Sequence, residues 1–334
     1  MENIPLNTRL NTRLDSRSDS LIDNQTIVTD LSVPIRTEDW DVTPDNQPRG
    51  YIDPHGLKEL WFHTGTACNL ACPFCLEGSK PGDTRLQLLK LADVVPFVDE
   101  ALEMGVEQFS FTGGEPFLAK DMVKILSYAT EHRPCLVLTN GTEPLLQRLH
   151  QLEPLRQAAH SVKFRISLDH YQAETHDVGR GEGSFAKAME GLVALYRLGF
   201  AVSVARHMAP DEVHAEVDAQ YRALFASLGL PKDLNIVAFP DFAVPGSHPQ
   251  VPQVTQHCMT EFQSQASRAE FMCASSKMLI KQQGRMRVYA CTLVDDDPDY
   301  DLGGTLHEAM QQRISMKHHR CYSCFAYGSS CSER

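Results

Sequence analysis

The sequence predicts an α/β fold: a partial (β/α)6 barrel followed by a small cysteine-rich C-terminal domain that contains a β-hairpin. The barrel is predicted because short apolar stretches alternate with stretches of helical periodicity between residue 60 and about residue 240. Six strands and five intervening helices are too few to close an eight-unit barrel, so we expect a curved, open sheet. The C-terminal domain is predicted because a Pro-rich stretch, PDFAVPGSHPQVPQ, ends this alternation and several cysteines follow it.

Six short apolar stretches form the predicted strands. In chain order they are LWFHT, QFSFT, CLVLTN, VKFRISLD, AVSVA and LNIVAF. Helical periodicity appears between them in LQLLKLADVVPFVDEALEMG, in residues 120–132, and in EPLLQRLHQLEPLRQAA, SFAKAMEGLVALYRLG and DEVHAEVDAQYRALFASLG. Repeated strand–helix–strand units form parallel sheets with right-handed crossovers, which bring the carboxyl ends of the strands to one edge. Folds of this kind bind their ligands at that edge.

The chain divides by composition into four predicted parts. Residues 1–55 are polar and predict a flexible N-terminal tail, and residues 56–240 form the barrel. Residues 241–257 are a Pro-rich linker, and residues 258–334 form the cysteine-rich domain. Within this last part, the stretch MLIKQQGRMRVYA with Gly284 at its turn predicts the hairpin.

Charge and composition exclude several functional classes. The net charge of −12, from 43 acidic and 31 basic residues, disfavours binding to nucleic acid, which needs a positive field. No stretch approaches the roughly 18 apolar residues that span a bilayer, and the polar N-terminus lacks the apolar core of a signal peptide. We therefore expect a cytoplasmic protein without a membrane or nucleic-acid partner. In that reducing compartment, ten cysteines indicate metal binding or catalysis rather than disulfides.

Three of the cysteines lie within eight residues, in the stretch ACNLACPFCLEG after the first predicted strand. A [4Fe–4S] cluster normally takes four thiolates, so Cys68, Cys72 and Cys75 would leave one iron without a protein ligand. Such an iron can bind a small chelating molecule, as the open position of a catalytic zinc ion does. A structural zinc site and buried thiols without a metal are the alternatives.

Glycines and short polar residues follow the next three predicted strands. FTGGEP contains Gly113, Gly114 and Glu115, LTNG contains Asn140, and ISLDH contains Ser167 and Asp169. Glycines let a backbone approach a ligand closely, and polar side chains at the same edge can bind hydroxyl or carboxylate groups. Each stretch also fits an ordinary turn or helix cap. The predicted loop THDVGRGEGSF adds Arg180, which suits either a carboxylate ligand or contact with solvent.

The spacing CxxxCxxC, with Phe74 just before its last cysteine and GGEP one unit downstream, resembles the signature of radical S-adenosylmethionine (SAM) enzymes. The resemblance implies that Cys68, Cys72 and Cys75 hold a [4Fe–4S] cluster whose open iron is chelated by the amino and carboxylate groups of SAM. It also implies a set of residues that bind SAM. These are Phe74, Gly113, Gly114, Glu115, Asn140, Ser167, Asp169 and Arg180.

The C-terminal cysteines predict a second metal centre. Cys273 and Cys291 flank the hairpin, which returns its two ends close together, and CYSC supplies Cys321 and Cys324. The arrangement resembles the twitch domain, a short form of the SPASM domain of radical SAM enzymes. It implies one auxiliary [4Fe–4S] cluster with no open iron, for which Cys331 is an alternative ligand. A zinc ribbon is the other interpretation, because two cysteine pairs also suit tetrahedral zinc.

The resemblance also implies a reaction. Reduction of the first cluster cleaves SAM to a 5′-deoxyadenosyl radical, which abstracts a hydrogen atom from the substrate. An auxiliary cluster favours net oxidation or bond formation, on a peptide or a small metabolite, and an electron donor such as flavodoxin or ferredoxin would reduce the enzyme. The competing interpretation is a noncatalytic iron–sulfur or zinc protein, an electron carrier or sensor on a degenerate barrel. The intact GGEP and strand-end motifs argue against it.

Overall fold

The structure of the chain, a computed structural model, describes residues 35–209 and 212–328. The strands in this part of the chain are β1 (Tyr51–Ile52), β2 (Glu59–His63), β3 (Gln108–Thr112), β4 (Cys135–Thr139), β5 (Val162–Ser167), β6 (Ala201–His207), β7 (Ile236–Phe239), β8 (Ser276–Gln282), β9 (Arg285–Tyr289) and β10 (Ile314–Ser315). Eight of them form one sheet in the order β7-β6-β5-β4-β3-β2-β8-β9, and β1 pairs with β10.

Helices fill the connections between the strands. They are α1 (Leu91–Glu103), α2 (Met122–Ala129), α3 (Glu143–Leu146), α4 (Leu149–Leu152), α5 (Ala173–Arg180), α6 (Ser184–Arg197), α7 (His214–Ser227), α8 (Gln256–Phe262), α9 (Gln265–Ala269), α10 (Met272–Ser275), α11 (Leu306–Ala309) and α12 (His319–Tyr327). Short 3-10 helices lie at Glu38–Trp40, Pro116–Leu118, Glu153–Gln157 and Pro298–Tyr300. Within the described residues, none of the helices combines the length and the apolar character that crossing a bilayer requires.

The six strands predicted for the barrel are β2 to β7, and each pairs in parallel with the next. Parallel strands are covered on both faces, so they need continuous apolar runs rather than alternation. All five residues of β2 are buried, and the ring of Phe62 stacks on that of Phe111 in β3 with centroids 5.3 Å apart. Helix α6 packs on β5 and β6 and buries Leu192 and Leu195. These features confirm the predicted α/β class with an open parallel sheet.

Two connections differ from the prediction. The stretch EPLLQRLHQLEPLRQAA forms α3, α4 and a 3-10 helix instead of one helix. Pro154 lacks an N–H group, so the α-helical hydrogen bonds cannot continue unbroken beyond α4, which ends at Leu152. The stretch THDVGRGEGSF, predicted as a loop, contains the end of α5, which stops at Arg180 before Gly181 with its φ of 103°. Only His176 of α5 is buried, so the helix has no apolar stripe that a sequence pattern could reveal.

The C-terminal hairpin extends the barrel sheet. Strand β8 pairs in parallel with β2 and antiparallel with β9. Its turn contains Gln283 and Gly284, whose φ angles of 51° and 77° are those that a two-residue type I′ turn requires. The hairpin itself confirms the prediction, whereas its attachment to β2 was not expected. We call residues 258–328 the C-terminal segment. Through β8 it contacts β2, the first strand of the barrel, directly.

Residues 35–52 contact the C-terminal segment. Strand β1 pairs with β10, and the buried ring of Trp40 lies 5.0 Å from the ring of Tyr300. Of the predicted tail, residues 1–34 lie outside the described residues. The division of the chain into four domains stays a prediction.

Candidate functional site

The loop that carries the first three cysteines is bonded to the end of β3. This cysteine loop, residues 64–86, follows β2. The N–H of Gly114 donates to the carbonyl of Gly65 at 2.9 Å, and the N–H of Glu115 donates to the carbonyl of Ala67 at 3.0 Å. The start of the cysteine loop is thereby fixed against the GGEP stretch.

Both glycines of GGEP are needed for this close approach. A Cβ atom on Gly114 would lie 2.3 Å from the carbonyl oxygen of Ala67. A Cβ atom on Gly113 would lie 2.8 Å from the carbonyl oxygen of Gly65, and the φ of Gly113 is 138°, which side chains rarely adopt. The two glycines therefore let β3 end directly against the backbone of the cysteine loop.

The thiols of Cys68, Cys72 and Cys75 line one cavity. Burial raises the pKa of all three, that of Cys68 to about 11. Without a metal they are consequently protonated at neutral pH, and a bound metal centre would displace their protons. The backbone N–H of Leu70 also points at the sulfur of Cys68, 3.4 Å away.

A single zinc ion and a [4Fe–4S] cluster place their thiolate ligands differently. Around a single tetrahedral zinc ion, with bonds of about 2.3 Å, sulfur atoms lie roughly 3.8 Å apart. No three cysteine sulfur atoms in the described part of the chain lie within 4.8 Å of one another. A cubane binds each thiolate through a different iron and needs the wider spacing. The three thiols open onto one cavity, and this donor set with the space beside it fits a [4Fe–4S] cluster.

The cavity in front of the thiols has a volume of about 210 Å³ and lies at the carboxyl ends of the barrel strands. All but one of the residues predicted to bind SAM line it. They are Phe74, Gly113, Gly114, Asn140, Ser167, Asp169 and Arg180. The structure thus brings together side chains that are separated by more than a hundred residues in sequence. Their contact with SAM stays a prediction.

Glu115 is the exception, since it is fully buried and does not line the cavity. Its carboxylate accepts hydrogen bonds from the backbone N–H groups of Phe117 (3.1 Å) and Asn140 (2.9 Å) and from the hydroxyl of Thr139 (2.9 Å). Burial raises the pKa of this carboxyl to about 7. In this structure the side chain joins the ends of β3 and β4, and its backbone N–H holds the cysteine loop.

Arg180 and Asp169 form an ion pair at the wall of the cavity, and each side chain is only 15% exposed. The Cζ atom of Arg180 lies 5.7 Å from the centroid of the Phe74 ring, which also stacks on His207 at 5.4 Å. The C-terminal end of a helix favours a cation, and Arg180 is the last residue of α5. Arg180 is therefore a partly buried helix residue and not a solvent-exposed loop residue.

Asn140 connects the end of β4 to the cysteine loop. Its Nδ2 atom donates to Oδ1 of Asn69 at 2.9 Å and lies 3.8 Å from the sulfur of Cys68. Its Oδ1 atom accepts from the N–H of Thr142 at 3.0 Å. A side chain held on both sides in this way orients the first cysteine of the loop.

Several cavity residues were missed by the sequence analysis. They include Trp61, Arg206, His207, Phe239, Phe242 and Thr292. His207 and Phe239 end β6 and β7, so the rule that ligands bind at the carboxyl ends of strands could have found them. Thr292 follows the hairpin, and no local signal in the sequence places it beside the barrel.

A buried group of titratable residues also touches the cavity. His63 at the end of β2, Glu77 of the cysteine loop and Asp295 of the C-terminal segment have polar atoms within 4.8 Å of one another. The Nδ1 atom of His63 accepts from the N–H of Gly65 (3.2 Å), so Nε2 carries the proton and donates to Glu77 (3.1 Å). Burial lowers the pKa of His63 and raises those of Glu77 and Asp295. A protonated Nε2 is no metal ligand, so we interpret this group as a hydrogen-bonded contact between barrel and C-terminal segment.

The four C-terminal cysteines predicted to share a metal centre line a second cavity. Cys273 belongs to α10, Cys291 follows β9, and Cys321 and Cys324 lie one turn apart on α12. The hydroxyl of Tyr300 lies 3.7 Å from the sulfur of Cys321. Burial raises the pKa of Cys273 and Cys321 to about 12. We call this group the four-cysteine site; its metal stays a prediction.

The other cysteines lie elsewhere. Cys331 is outside the described residues. Cys258 of α8 does not line the second cavity, and its sulfur lies 3.2 Å from the hydroxyl of Thr255. Cys135 is buried in β4, and burial raises the pKa of its thiol, as expected for a small core residue.

The barrel region matches a known protein family. The model of the radical SAM superfamily matches residues 62–222. This range begins in β2 and contains the cysteine loop, the GGEP stretch and the strand ends of β3 to β6. Residues 62–222 therefore form a radical SAM domain, which confirms the predicted resemblance to radical SAM enzymes for this part of the chain.

Curated relatives match the same part of the chain, and solved structures share its fold. Mycofactocin maturase MftC of Mycobacterium ulcerans is 38% identical over 164 residues, which are 46% of this chain and 42% of the relative. Streptococcus suis SuiB bound to precursor peptide SuiA has a TM-score of 0.56 at 12% identity, over 77% of this chain and 65% of SuiB. Native anSMEcpe with bound AdoMet and Cp18Cys peptide has a TM-score of 0.55 at 15% identity, over 78% of this chain and 81% of anSMEcpe. The structures show a shared fold, and the chain spans less than half the length of MftC.

Gly114→Ala should prevent the cysteine loop from packing on β3, because the new Cβ atom would lie 2.3 Å from the carbonyl oxygen of Ala67. We expect the three-cysteine site to bind its iron about tenfold less tightly. Iron and sulfide content after anaerobic reconstitution measures this effect.

Gly82→Ala is the matched control, since Gly82 lies in the same loop and has no atom within 4 Å of its Cβ position. This variant adds only the strain of a positive φ. Equal loss of iron in both variants would contradict the importance of the close approach.

Proposed function

We propose that this radical SAM protein binds SAM in the cavity beside the cysteine loop, cleaves it reductively, and uses the resulting 5′-deoxyadenosyl radical to abstract a hydrogen atom from a peptide. One observation supports the proposal most directly. The three thiols of the cysteine loop and the residues at the ends of β3, β4 and β5 line the same cavity. An electron carrier needs the thiols but has no use for the other residues, so the arrangement favours an enzyme.

The residues of the cavity have distinct roles in this proposal. The three cysteines of the loop would hold the [4Fe–4S] cluster, which when bound supplies the electron for SAM cleavage. Gly113 and Gly114 offer backbone groups to a polar ligand, because no side chain covers them. Phe239 and Phe242 line the cavity with apolar surface and would exclude water, which protects a reactive radical.

The four-cysteine site would hold one auxiliary [4Fe–4S] cluster. Four thiols from three separate segments line one cavity there, which is the donor set that a fully ligated cluster takes. A fully ligated cluster has no iron open to a substrate and suits electron transfer. An electron acceptor of this kind favours net oxidation or bond formation. Cys331 is the alternative ligand.

A peptide is the substrate class that we propose. Two proteins of the same fold, SuiB and anSMEcpe, have structures with a bound peptide. In this chain the cavity adjoins a wider depression of about 520 Å³, and Leu70 and Arg180 line both. An extended chain could lie across the depression and place one residue in the cavity, whereas a small metabolite needs the cavity alone.

We further propose that the protein is cytoplasmic and receives electrons from a flavodoxin or ferredoxin. The clustering of eight of the ten cysteines suits metal binding in a reducing compartment. The net charge of −12 disfavours a nucleic-acid partner.

Cleavage of SAM tests the proposed activity. After anaerobic reconstitution and reduction with dithionite, we expect the protein to convert SAM to 5′-deoxyadenosine and methionine, both measured by chromatography. Cys72→Ala should lower the rate at least about 100-fold, because the cluster loses one of three ligands. Cys135→Ala is the control, since Cys135 lies buried in β4 outside the cavity. A loaded cluster without SAM cleavage would favour the noncatalytic carrier.

Metal content tests the four-cysteine site. Two [4Fe–4S] clusters predict about eight irons per chain, and a zinc ribbon beside one cluster predicts about four irons and one zinc. We expect the first result, with a loss of about four irons in the combined variant Cys321→Ala and Cys324→Ala. Zinc in the purified protein at one equivalent per chain would reject the auxiliary cluster.

Label transfer tests the substrate class. A low-molecular-weight extract of cells grown in deuterated medium is divided, and one half is treated with a broad-specificity protease that is then removed. We expect the untreated half to yield deuterated 5′-deoxyadenosine and the treated half to yield much less, since the peptide has been cut. Equal label from both halves would indicate a small metabolite.

A further inference from the structure

Arg320 is a fully buried arginine between the two cysteine sites. It lies at the start of α12, immediately before Cys321, and none of its surface is exposed. A guanidinium can be buried only if its donors are satisfied, because an unpaired buried charge costs several kcal/mol. The contacts of Arg320 therefore show which parts of the protein it holds.

The guanidinium donates four hydrogen bonds to backbone carbonyl groups. The acceptors are Phe242 (3.0 Å), Leu293 (3.0 Å), Leu76 (3.1 Å) and Ala243 (2.9 Å). They belong to the cysteine loop, to the segment after β7 and to the segment after the hairpin. One residue thus binds three segments that are distant in sequence.

Two of these acceptors lie next to cysteines. Leu76 follows Cys75, the last cysteine of the loop. The N–H of Leu293 points at the sulfur of Cys291, 3.4 Å away, while its carbonyl accepts from Arg320. Since Cys321 is the next residue after Arg320, this side chain links one member of the first site to two members of the second.

We propose that Arg320 is a positioning residue that couples the two cysteine sites, so that a loaded four-cysteine site stabilises the cysteine loop and strengthens SAM binding. The proposal rests on the proposed function, because it needs both clusters. Filling the four-cysteine site fixes Cys291 and Cys321, and thereby the guanidinium between them. The carbonyl of Leu76, and with it the end of the cysteine loop, is then held in one place. Coupling of this kind is reciprocal and typically changes an affinity 5- to 150-fold.

A buried positive charge alone would not produce this coupling. The planar guanidinium presents donors in several fixed directions, and the ammonium group of lysine has three donors at one point. Arg320→Lys keeps the charge but cannot reach all four carbonyl groups. It therefore separates the linking role from a purely electrostatic one.

A double-mutant cycle on the reconstituted full chain tests the proposal. The four proteins are the unaltered chain, Arg320→Lys, the combined variant Cys321→Ala and Cys324→Ala, and the chain with all three changes. The dissociation constant of SAM is measured from the change that SAM causes in the electron paramagnetic resonance signal of the reduced first cluster. In the unaltered chain, loss of the four-cysteine site should weaken SAM binding about tenfold. In the Arg320→Lys chain, loss of the four-cysteine site should change the dissociation constant of SAM less than twofold.

Arg287→Lys provides the matched control in the same segment, since Arg287 is partly buried and pairs with Asp301 at 2.8 Å. In the Arg287→Lys chain, loss of the four-cysteine site should still weaken SAM binding about tenfold. The proposal is overturned if loss of the four-cysteine site weakens SAM binding tenfold in the Arg320→Lys chain as well. It is also overturned if this loss leaves SAM binding unchanged in the chain that is otherwise unaltered. An unaltered chain that forms its first cluster but does not bind SAM overturns the proposed function as well.

Hydrogen exchange gives a second readout if Arg320→Lys does not fold. The reconstituted unaltered chain is compared with the combined cysteine variant, and the amides of residues 76–80 are followed. We expect exchange there to be about tenfold faster without the four-cysteine site. Unchanged exchange in these residues would overturn the coupling.

Discussion

The contact between the GGEP backbone and the cysteine loop is the constraint on which the candidate site depends. Gly114 and Glu115 donate to the carbonyls of Gly65 and Ala67, and a side chain at Gly114 would leave no room for this approach. The contact fixes where the loop begins, and its three thiols consequently face the same cavity as the ends of β3 to β5. The buried carboxylate of Glu115 also stabilises the end of β3, because it accepts hydrogen bonds from Thr139 and Asn140 at the end of β4 and from the backbone N–H of Phe117.

The C-terminal segment completes the site instead of standing apart from it. Its hairpin adds two strands to the barrel sheet, and Thr292, just after the hairpin, lines the cavity. Asp295 meets His63 and Glu77, and Arg320 binds the carbonyl of Leu76. The cysteine loop is therefore held from one side by β3 and from the other by the segment that carries the four-cysteine site. This double attachment gives a physical route by which the two sites can influence each other.

Local patterns in the sequence predicted much of the fold and most of the cavity. Apolar runs identified β2 to β7, Gly284 identified the hairpin turn, and cysteine spacing with GGEP indicated the radical SAM domain of residues 62–222. Each of these signals lies within one short stretch and needs no knowledge of distant contacts. The pairing of β8 with β2, the contact of His63 with Asp295 and the bond from Arg320 to Leu76 join segments more than two hundred residues apart. No periodicity or turn residue encodes such contacts, so only the folded structure reveals them. Helix α5 was missed for a different reason, since it lacks an apolar stripe.

The central claim is that the three-cysteine site leaves one iron open and that SAM binds there. The most direct measurement uses the combined variant Cys321→Ala and Cys324→Ala, which retains only the first site for a cluster. Its reduced cluster is mixed with SAM that carries ¹⁵N in the amino group, and the hyperfine coupling of this nitrogen is recorded by electron–nuclear double resonance. If SAM binds the open iron, the amino nitrogen is bonded to iron and a resolved hyperfine coupling between ¹⁵N and the cluster is expected. A cluster that forms in full but shows no coupling to the labelled nitrogen would contradict it.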